Sequence, residues 1–351
     1  MRIAVLGATG SIGRQTLAVI DADPRLELVA ASSATTPLDD VNAPFKAVGA
    51  DPVELLERSE PDVVLNAIVG FAGLRATLWT LERGLRLALA NKESLVSGGD
   101  LALEARRRGR GELIPVDSEH SALFQLVEAA RPSGPVGYVL TASGGPFRGW
   151  SAERLQSEEI TVEDALAHPT WSMGPKITVD SATLANKGLE LIEAHFLFGV
   201  PYDLIEVVVH PSSIVHAMLR LDDGAGLMHV GYPDMRIPIS YALNYPERGT
   251  QFVPQLDFSQ GISLAFEPPD LEAFPLLALA REAGERGGTY PCAFNAANEV
   301  AVQAFLEGRI RFVDIAAAVQ DVLARTDGAP ARDLEELVEA DRRARNLVAV
   351  A

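Results

Sequence analysis

The feature that most constrains this chain is the place of its first glycine turn. Residues 3–6, IAVL, form a short apolar run, and Gly7-Ala8-Thr9-Gly10-Ser11-Ile12-Gly13 follows at once and opens a stretch of helical spacing from Ile12 to Ile20. Strand, glycine turn and helix in that order leave backbone N–H groups and a helix N-terminus above the strand's carboxyl end. An anion such as a pyrophosphate is favoured there by the macrodipole. The spacing is GxxGxxG, looser than GxGxxG, so a purely structural turn is the alternative; its position in a βαβ pattern favours a dinucleotide. Runs at 26–31 (LELVAA), 62–68 (DVVLNAI), 85–90 (LRLALA) and 113–116 (LIPV) continue the alternation, with a helical pattern from Asp100 to Arg108. That predicts a parallel sheet with crossover helices, an α/β fold of Rossmann type.

From Gly137 the pattern changes. Tyr138–Thr141, Lys176–Val179, Glu206–His210 and Gly226–Val230 read as strands among helices and Gly- and Pro-rich loops, which predicts an α+β part. Residues 246–268 read as an irregular linker. Beyond them helices dominate: Asn298–Glu307 with Gly308 as its stop, Asp314–Arg325, and an amphipathic helix from Arg332 to Leu347. The expected organisation is a dinucleotide-binding domain over 1–116, an α+β domain over 117–245, the linker, and a helical domain over 269–351.

Charge narrows the partners. Thirty cationic side chains against 48 anionic ones leave a net charge of −18, which repels a polyanion, so nucleic acid is not an expected partner. The one cysteine, Cys292, excludes an intrachain disulfide and a multi-thiolate metal site, as expected in a reducing compartment. The longest apolar candidate, Val63 to Leu74, is too short to span a bilayer and contains Asn66; the N-terminus reads as folded domain rather than as a targeting segment. A cytoplasmic protein without membrane association is expected.

Four motifs carry chemistry. After the second strand, Ser32-Ser33-Ala34-Thr35-Thr36 offers hydroxyls where a carboxylate would select NAD and a cation NADP. Asp117-Ser118-Glu119-His120 closes a strand. In extended chain, residues two apart point the same way, so Asp117 and Glu119 would present two carboxylates on one face; hard oxygen ligands without paired His or Cys favour Mg²⁺ or Mn²⁺, against the alternative of a solvated turn. Thr141-Ala142-Ser143-Gly144-Gly145-Pro146-Phe147 suits a hydroxyl with exposed backbone N–H groups. In HPTWSMGPKITVDSATLANKGLE, residues 168–190, Lys187 and Glu190 share a helix face, with a surface salt bridge as the ordinary reading.

Only four of the thirty cations are lysines, and three of these, Lys92, Lys176 and Lys187, fall within the segments 91–97, 117–121, 141–150 and 168–190. A chain that otherwise uses Arg keeps Lys where a compact ammonium is needed, although structural pairing would place them equally well. His210 and His216 would line a cleft or pack near a strand end. His195 reads as a core histidine and Cys292 as a small buried residue.

Taken together, the blocks GATGSIG (7–13), ANKESLV (90–96), PVDSEH (115–120), TASGGPF (141–147), HPTWSMGPKITVDSATLANKGLE (168–190), HPSSIVHAM (210–218), PDMRIPI (233–239) and NAANEVAV (295–302) closely resemble the 1-deoxy-D-xylulose 5-phosphate reductoisomerase family along nearly the whole chain. The resemblance implies a homodimer of V-shaped subunits, the middle domain serving catalysis and dimerisation. It also implies NADPH at Gly7, Thr9, Gly10, Ser11 and Ile12, with Ser32, Ser33, Asn91 and Glu93 beside it. One Mg²⁺, Mn²⁺ or Co²⁺ would be held by Asp117, Glu119 and Glu190. The phosphorylated ketose would be met by Lys92, Ser118 and Glu119 at its oxygens, and by Ser143, Ser181, Asn186 and Lys187 at its phosphate. His168 would sit near that phosphate, Trp171 would close a lid of residues 168–175, and His210 would be a further site histidine. The reaction implied is a retro-aldol/aldol rearrangement followed by hydride transfer, giving 2-C-methyl-D-erythritol 4-phosphate. Two other classes share the opening turn. An aspartate-semialdehyde-type dehydrogenase needs a cysteine thiolate, which Cys292 is poorly placed to supply; a non-catalytic dinucleotide sensor has no use for three site carboxylates.

Overall fold

In a computed structural model, which describes residues 1–130 and 134–349, the chain begins with β1 (Arg2–Leu6), α1 (Ser11–Ala22), β2 (Glu27–Ser33), β3 (Phe45–Val48), α2 (Pro52–Ser59), β4 (Val63–Asn66), α3 (Leu74–Glu82), β5 (Arg86–Leu89), α4 (Lys92–Gly109), β6 (Glu112–Pro115) and α5 (Ser118–Ala130). It continues with β7 (Pro135–Ala142), α6 (Ala152–Ser157), α7 (Val162–Leu166), α8 (Pro175–Ala182), α9 (Ala185–Phe198), β8 (Ile205–Val209), β9 (Val215–Leu221), β10 (Gly226–Val230), α10 (Arg236–Asn244), α11 (Leu276–Arg286), α12 (Tyr290–Leu306), α13 (Asp314–Arg325) and α14 (Leu334–Leu347).

Two compact units result. The first comprises Met1–Leu95, Gly99–Gln125 and Asp234–Leu256. Its six strands are parallel, in the order β3-β2-β1-β4-β5-β6. The order reverses between β1 and β4, and in such sheets ligands bind outside the carboxyl ends of the strands at that reversal. The central strands are unbroken apolar runs because both faces are covered. Ile3, Val5, Val63 and Leu65 pack with Val19 and Ile20 of α1 and with Ile239, Ala242 and Leu243 of α10. Ala4, Leu6 and Val64, one residue out of phase, pack with Leu55 and Leu56 of α2 and Ala76 of α3.

The second unit comprises Val96–Gly98, Leu126–Pro233 and Asp257–Ala351. Its sheet has the order β10-β9-β7-β8, with β7 antiparallel to β9 and parallel to β8. Helices α8, α9, α11 and α12 pack on one another within it.

All five strands expected in the first third form. Two more were not legible: β3 (FKAV) is a short edge strand of alternating exposure carrying Lys46, and β9 (VHAMLRL) is broken in pattern by His216 and Arg220. Lys176–Val179, expected as a strand, is helical. Gly174 is an extended N-cap and Pro175 takes N1, the Thr178 hydroxyl donates to Gly174 O at 2.8 Å, and Lys176 reaches Asp180 one turn on. These local bonds override the β-branched composition of KITV. The division also differs from the three parts expected. Residues 234–256 pack with the first unit because α10 covers its sheet, and the C-terminal helices join the second unit through α11 on α9 and α12 on α8. No helix among the described residues is long and apolar enough to cross a membrane; Val63 to Leu74 contains β4 and a turn.

Candidate active site

In the first unit the glycine turn is shaped by close backbone approach. Gly7 has φ +81°, and a Cβ there would lie 2.5 Å from Ala67 O; a Cβ on Gly13 would lie 2.2 Å from Gly7 O. The Gly7 and Ala8 N–H groups donate to Ser32 O at 3.1 and 2.8 Å, tying the turn to the end of β2. α1 then starts from Gly10 with no side-chain cap and no acidic residue in its first turn. Its leading N–H groups, those of Ser11 and Ile12, have no helical partner by geometry, and Gly10 beside them is exposed with Thr9 half-buried. A dinucleotide pyrophosphate fits this uncapped, positively polarised terminus.

Around the turn, the expected cofactor residues divide. Ser32 and Ser33 are buried, and the Ser33 hydroxyl donates to Thr36 O, so the exposed hydroxyls at this strand end are those of Thr35 and Thr36. Asn91 and Glu93 are also buried. The Asn91 amide donates to Ile68 O and Gly70 O at 2.5 and 2.9 Å and to Glu93, while its Oδ1 caps α4 at Ser94 N. These side chains build the loop at 67–70 from beneath. Sequence reasoning missed Asn66, which holds the same loop by donating to Gly73 O and Thr77 Oγ1 and accepting from Ile68 N; an Asn ending a wholly apolar strand was the available signal.

At the end of β6 the extended geometry expected for 117–119 is replaced by a helix start. Asp117 Oδ1 accepts from the Glu119 and His120 N–H groups at 3.2 and 3.3 Å, and Ser121 N–H donates to Asp117 O. A carboxylate is favoured at a helix N-terminus, which is why the chain turns here instead of continuing the strand. Asp117 and Glu119 therefore share the first turn of α5. Asp117 Oδ2 pairs with Lys92 Nζ at 2.7 Å, both side chains nearly buried, and the Ser118 hydroxyl donates to Glu119 Oε2 at 2.5 Å. Carboxylate oxygens of this kind suit a hard divalent cation.

In the second unit the loop after β7 turns on two left-handed glycines, Gly144 (φ +88°) and Gly145 (φ +66°). A Cβ on Gly145 would lie 2.9 Å from Ser181 O, so this loop rests directly on the end of α8 and brings Ser143 toward Ser181. At the start of α9, the Glu190 carboxylate accepts from Asn186 Nδ2 at 2.6 Å and from Lys187 Nζ at 2.5 Å, on different oxygens. The expected pairing of Lys187 with Glu190 is present, but buried, with 4% and 1% of the side chains exposed, rather than on the surface. A buried pair of this kind contributes little net stability, which points to function.

His168 organises the loop that follows it. Its Nδ1 accepts from Trp171 N–H at 2.8 Å and Thr170 N–H at 3.1 Å, so the proton sits on Nε2, which donates to Ser143 Oγ at 2.9 Å. Burial holds its pKa below the ordinary 6.5. The stability this neutral ring contributes is complete above 6.5 and is lost as pH falls through the lower folded value. The fluorescence difference between wild type and Trp171→Phe should change on acidification from about pH 8 to about pH 5 and stay flat in a His168→Gln background; a flat wild-type difference would show that His168 does not hold Trp171. Trp171 faces His216 at 6.4 Å between rings.

The weaker candidates settle as follows. His210 Nδ1 donates to Ala265 O at 2.7 Å and its ring stacks on Phe266. His195 Nδ1 bonds Val200 O at the end of α9 and stacks on Tyr202. Cys292 is fully buried, and burial pushes its thiol pKa up, so it cannot supply the thiolate a semialdehyde dehydrogenase requires.

Comparison with known proteins identifies the family. The chain matches the family model for 1-deoxy-D-xylulose 5-phosphate reductoisomerase at residues 3–50 and 40–99, the model for that enzyme's C-terminal domain at 113–198, and a further DXP reductoisomerase C-terminal domain model at 230–347. It is 49% identical over 372 aligned positions to the 1-deoxy-D-xylulose 5-phosphate reductoisomerase of Mycobacterium marinum (strain ATCC BAA-535 / M), covering 98% of this chain and 91% of that one. The solved enzyme from Zymomonas mobilis in complex with NADPH superposes with a TM-score of 0.89 at 39% identity, covering 99% and 98% of the two chains. A DOX-P reductoisomerase crystallised with NADPH, fosmidomycin and magnesium gives a TM-score of 0.90 at 37% identity, covering 99% and 97%. The chain belongs to the 1-deoxy-D-xylulose 5-phosphate reductoisomerase family.

Proposed function

We propose that the residues described above perform the family's reaction, the NADPH- and metal-dependent conversion of 1-deoxy-D-xylulose 5-phosphate to 2-C-methyl-D-erythritol 4-phosphate, with a division of labour set by their charge. When bound, the divalent cation supplies stabilisation of negative charge on substrate oxygens during the carbon–carbon rearrangement, and NADPH supplies the hydride. Asp117, Glu119 and Glu190 are the carboxylates that hold the cation. The observation that carries this reading is the use of scarce lysines: Lys92 is buried against Asp117, and Lys187 against Glu190.

Lys92 Nζ keeps a proton, fixed by Asp117, where a substrate oxygen gains charge. Ser118 and Glu119 orient the same end of the substrate. Ser143 Oγ accepts the hydrogen bond of His168 Nε2–H, which leaves its own hydroxyl proton for a phosphate oxygen. Ser181, Asn186 and Lys187 complete the phosphate site, and Trp171, held by His168, covers it and excludes water. The glycine turn and the exposed hydroxyls after β2 receive the cofactor. Family membership further supports a homodimer working in the cytoplasm.

Absorbance of NADPH followed with 1-deoxy-D-xylulose 5-phosphate and Mg²⁺ tests the whole reading. Consumption should stop on adding EDTA and return with excess Mg²⁺ or Mn²⁺; turnover indifferent to EDTA would overturn the metal role. NADH in parallel measures how far Thr35 and Thr36 substitute for a basic 2′-phosphate ligand.

A further inference from the structure

We infer that Asn298, on α12 and outside the groups assigned to substrate, cofactor or metal, is a positioning residue for the phosphate site, acting through Asp180. The inference rests on the reading that Ser181, Asn186 and Lys187 receive the substrate's phosphate. Asn298 is fully buried, and its Nδ2 donates to Asp180 Oδ1 at 2.7 Å. The other carboxylate oxygen of Asp180 takes Lys176 Nζ at 2.8 Å. Asp180 has 1% of its side chain exposed, and Asn298 Oδ1 is buried without a hydrogen-bond partner. An amide that leaves its own oxygen unsatisfied is a poor way to fill a core, so the bond to Asp180 is what this residue type provides.

That bond lies next to the corner that sets the site. Asp180 immediately precedes Ser181, and α8 then gives way to α9 through Leu184, a buried branched residue at φ +60°, ψ +10°. Left-handed backbone is unfavourable for leucine and persists only where the surroundings over-determine it. Here the constraints are the Gly145 backbone against Ser181 on one side and the Asn298–Asp180–Lys176 chain on the other. The corner fixes the separation between Ser181 and the pair Asn186 and Lys187. Release of Asp180 lets the end of α8 drift relative to the first turn of α9, and the phosphate loses one anchor or the other.

The test compares holoenzyme variants under identical conditions. Asn298→Ala should raise KM for the phosphorylated ketose about tenfold, as a misplacement of under an ångström can, and raise the Ki of inorganic phosphate as a competitive inhibitor in parallel, with KM for NADPH within about twofold. Asn298→Asp, which sets two carboxylates against each other, should be worse, and the exchange Asp180→Asn with Asn298→Asp, which restores one amide-to-carboxylate bond, should recover most of the loss. Should Asn298→Ala not fold, the exchanged pair against Asp180→Asn alone gives the same comparison. An unchanged ketose KM in folded Asn298→Ala, or equal rises in both KM values, overturns the inference. Lys187→Ala separates it from the reading beneath it: if that variant raises ketose KM and phosphate Ki while Asn298→Ala does not, only the positioning role fails; if Lys187→Ala changes neither, the phosphate-site reading fails and the inference with it.

Discussion

Glu190→Gln is expected to lower kcat by about 10³-fold while the protein remains folded. The substitution preserves shape and keeps an oxygen to accept from Lys187 or Asn186, but it removes the negative charge that both those donors now face. Three consequences follow from one lost charge. The cation loses one of its three proposed carboxylates, so higher Mg²⁺ should restore only part of the rate. Lys187 loses the negative charge of Glu190 in a buried setting, a loss on the order of 3 kcal/mol in stability. Held less tightly at position 190, Lys187 also becomes more available to phosphate, so ketose KM should not rise in step with the fall in kcat. Rates against Mn²⁺ concentration, Mn²⁺ binding read by electron paramagnetic resonance and thermal denaturation check these separately. Near-full activity at saturating Mg²⁺ would remove Glu190 from the metal site. Asp117→Asn should behave alike for metal, with Lys92 the cation that loses the charge of Asp117.

The two substitutions fall in parts of the molecule that were not equally readable from residues. The glycine turn was legible because its requirement is local: strand, turn and helix are adjacent in sequence, and small residues are needed wherever backbone meets backbone. The helical stop at Gly308 was legible for the same reason, since φ +72° there suits glycine. Residues 117–119 and 176–179 were misjudged because side chains, not backbone propensity, decide them. Asp117 caps a helix with a carboxylate that also pairs with a lysine 25 positions earlier, and Pro175 with the Lys176–Asp180 bond turns a β-branched stretch into helix. The pairing of Lys187 with Glu190 could be read from their spacing, but its burial could not, because burial depends on packing set by distant helices. Asn298 lies in the block NAANEVAV, but nothing in that block shows what the residue does, because its partner lies 118 residues away.

Gly13→Ala should be among the most damaging single-methyl changes in the chain, and Gly10→Ala three residues earlier should be mild. A Cβ at Gly13 would sit 2.2 Å from Gly7 O and 2.6 Å from the Ala8 backbone, atoms that cannot rotate away as a side chain would. The methyl must push α1 off the end of β1, and α1 contributes Val19 and Ile20 to the core on that face. Overpacking usually costs about 1–3 kcal/mol, and a clash with backbone belongs at or above the upper end. The same displacement takes the Ser11 and Ile12 N–H groups away from the pyrophosphate position, so NADPH affinity should fall together with Tm. At Gly10, by contrast, φ is −73° and the nearest atom to a Cβ would be Gly7 O at 3.4 Å, an ordinary contact. Gly10→Ala should therefore change stability by less than about 1 kcal/mol. Its effect should be confined to NADPH, through a methyl placed beside the exposed helix terminus. Thermal denaturation with and without NADPH distinguishes the two: Gly13→Ala should lower Tm in both conditions, whereas Gly10→Ala should match wild type without cofactor and gain less stabilisation when NADPH is added. Equal Tm values for Gly13→Ala and wild type would mean that α1 does not seat on Gly7 as described, and the N-terminus assigned to the cofactor would have to be placed elsewhere.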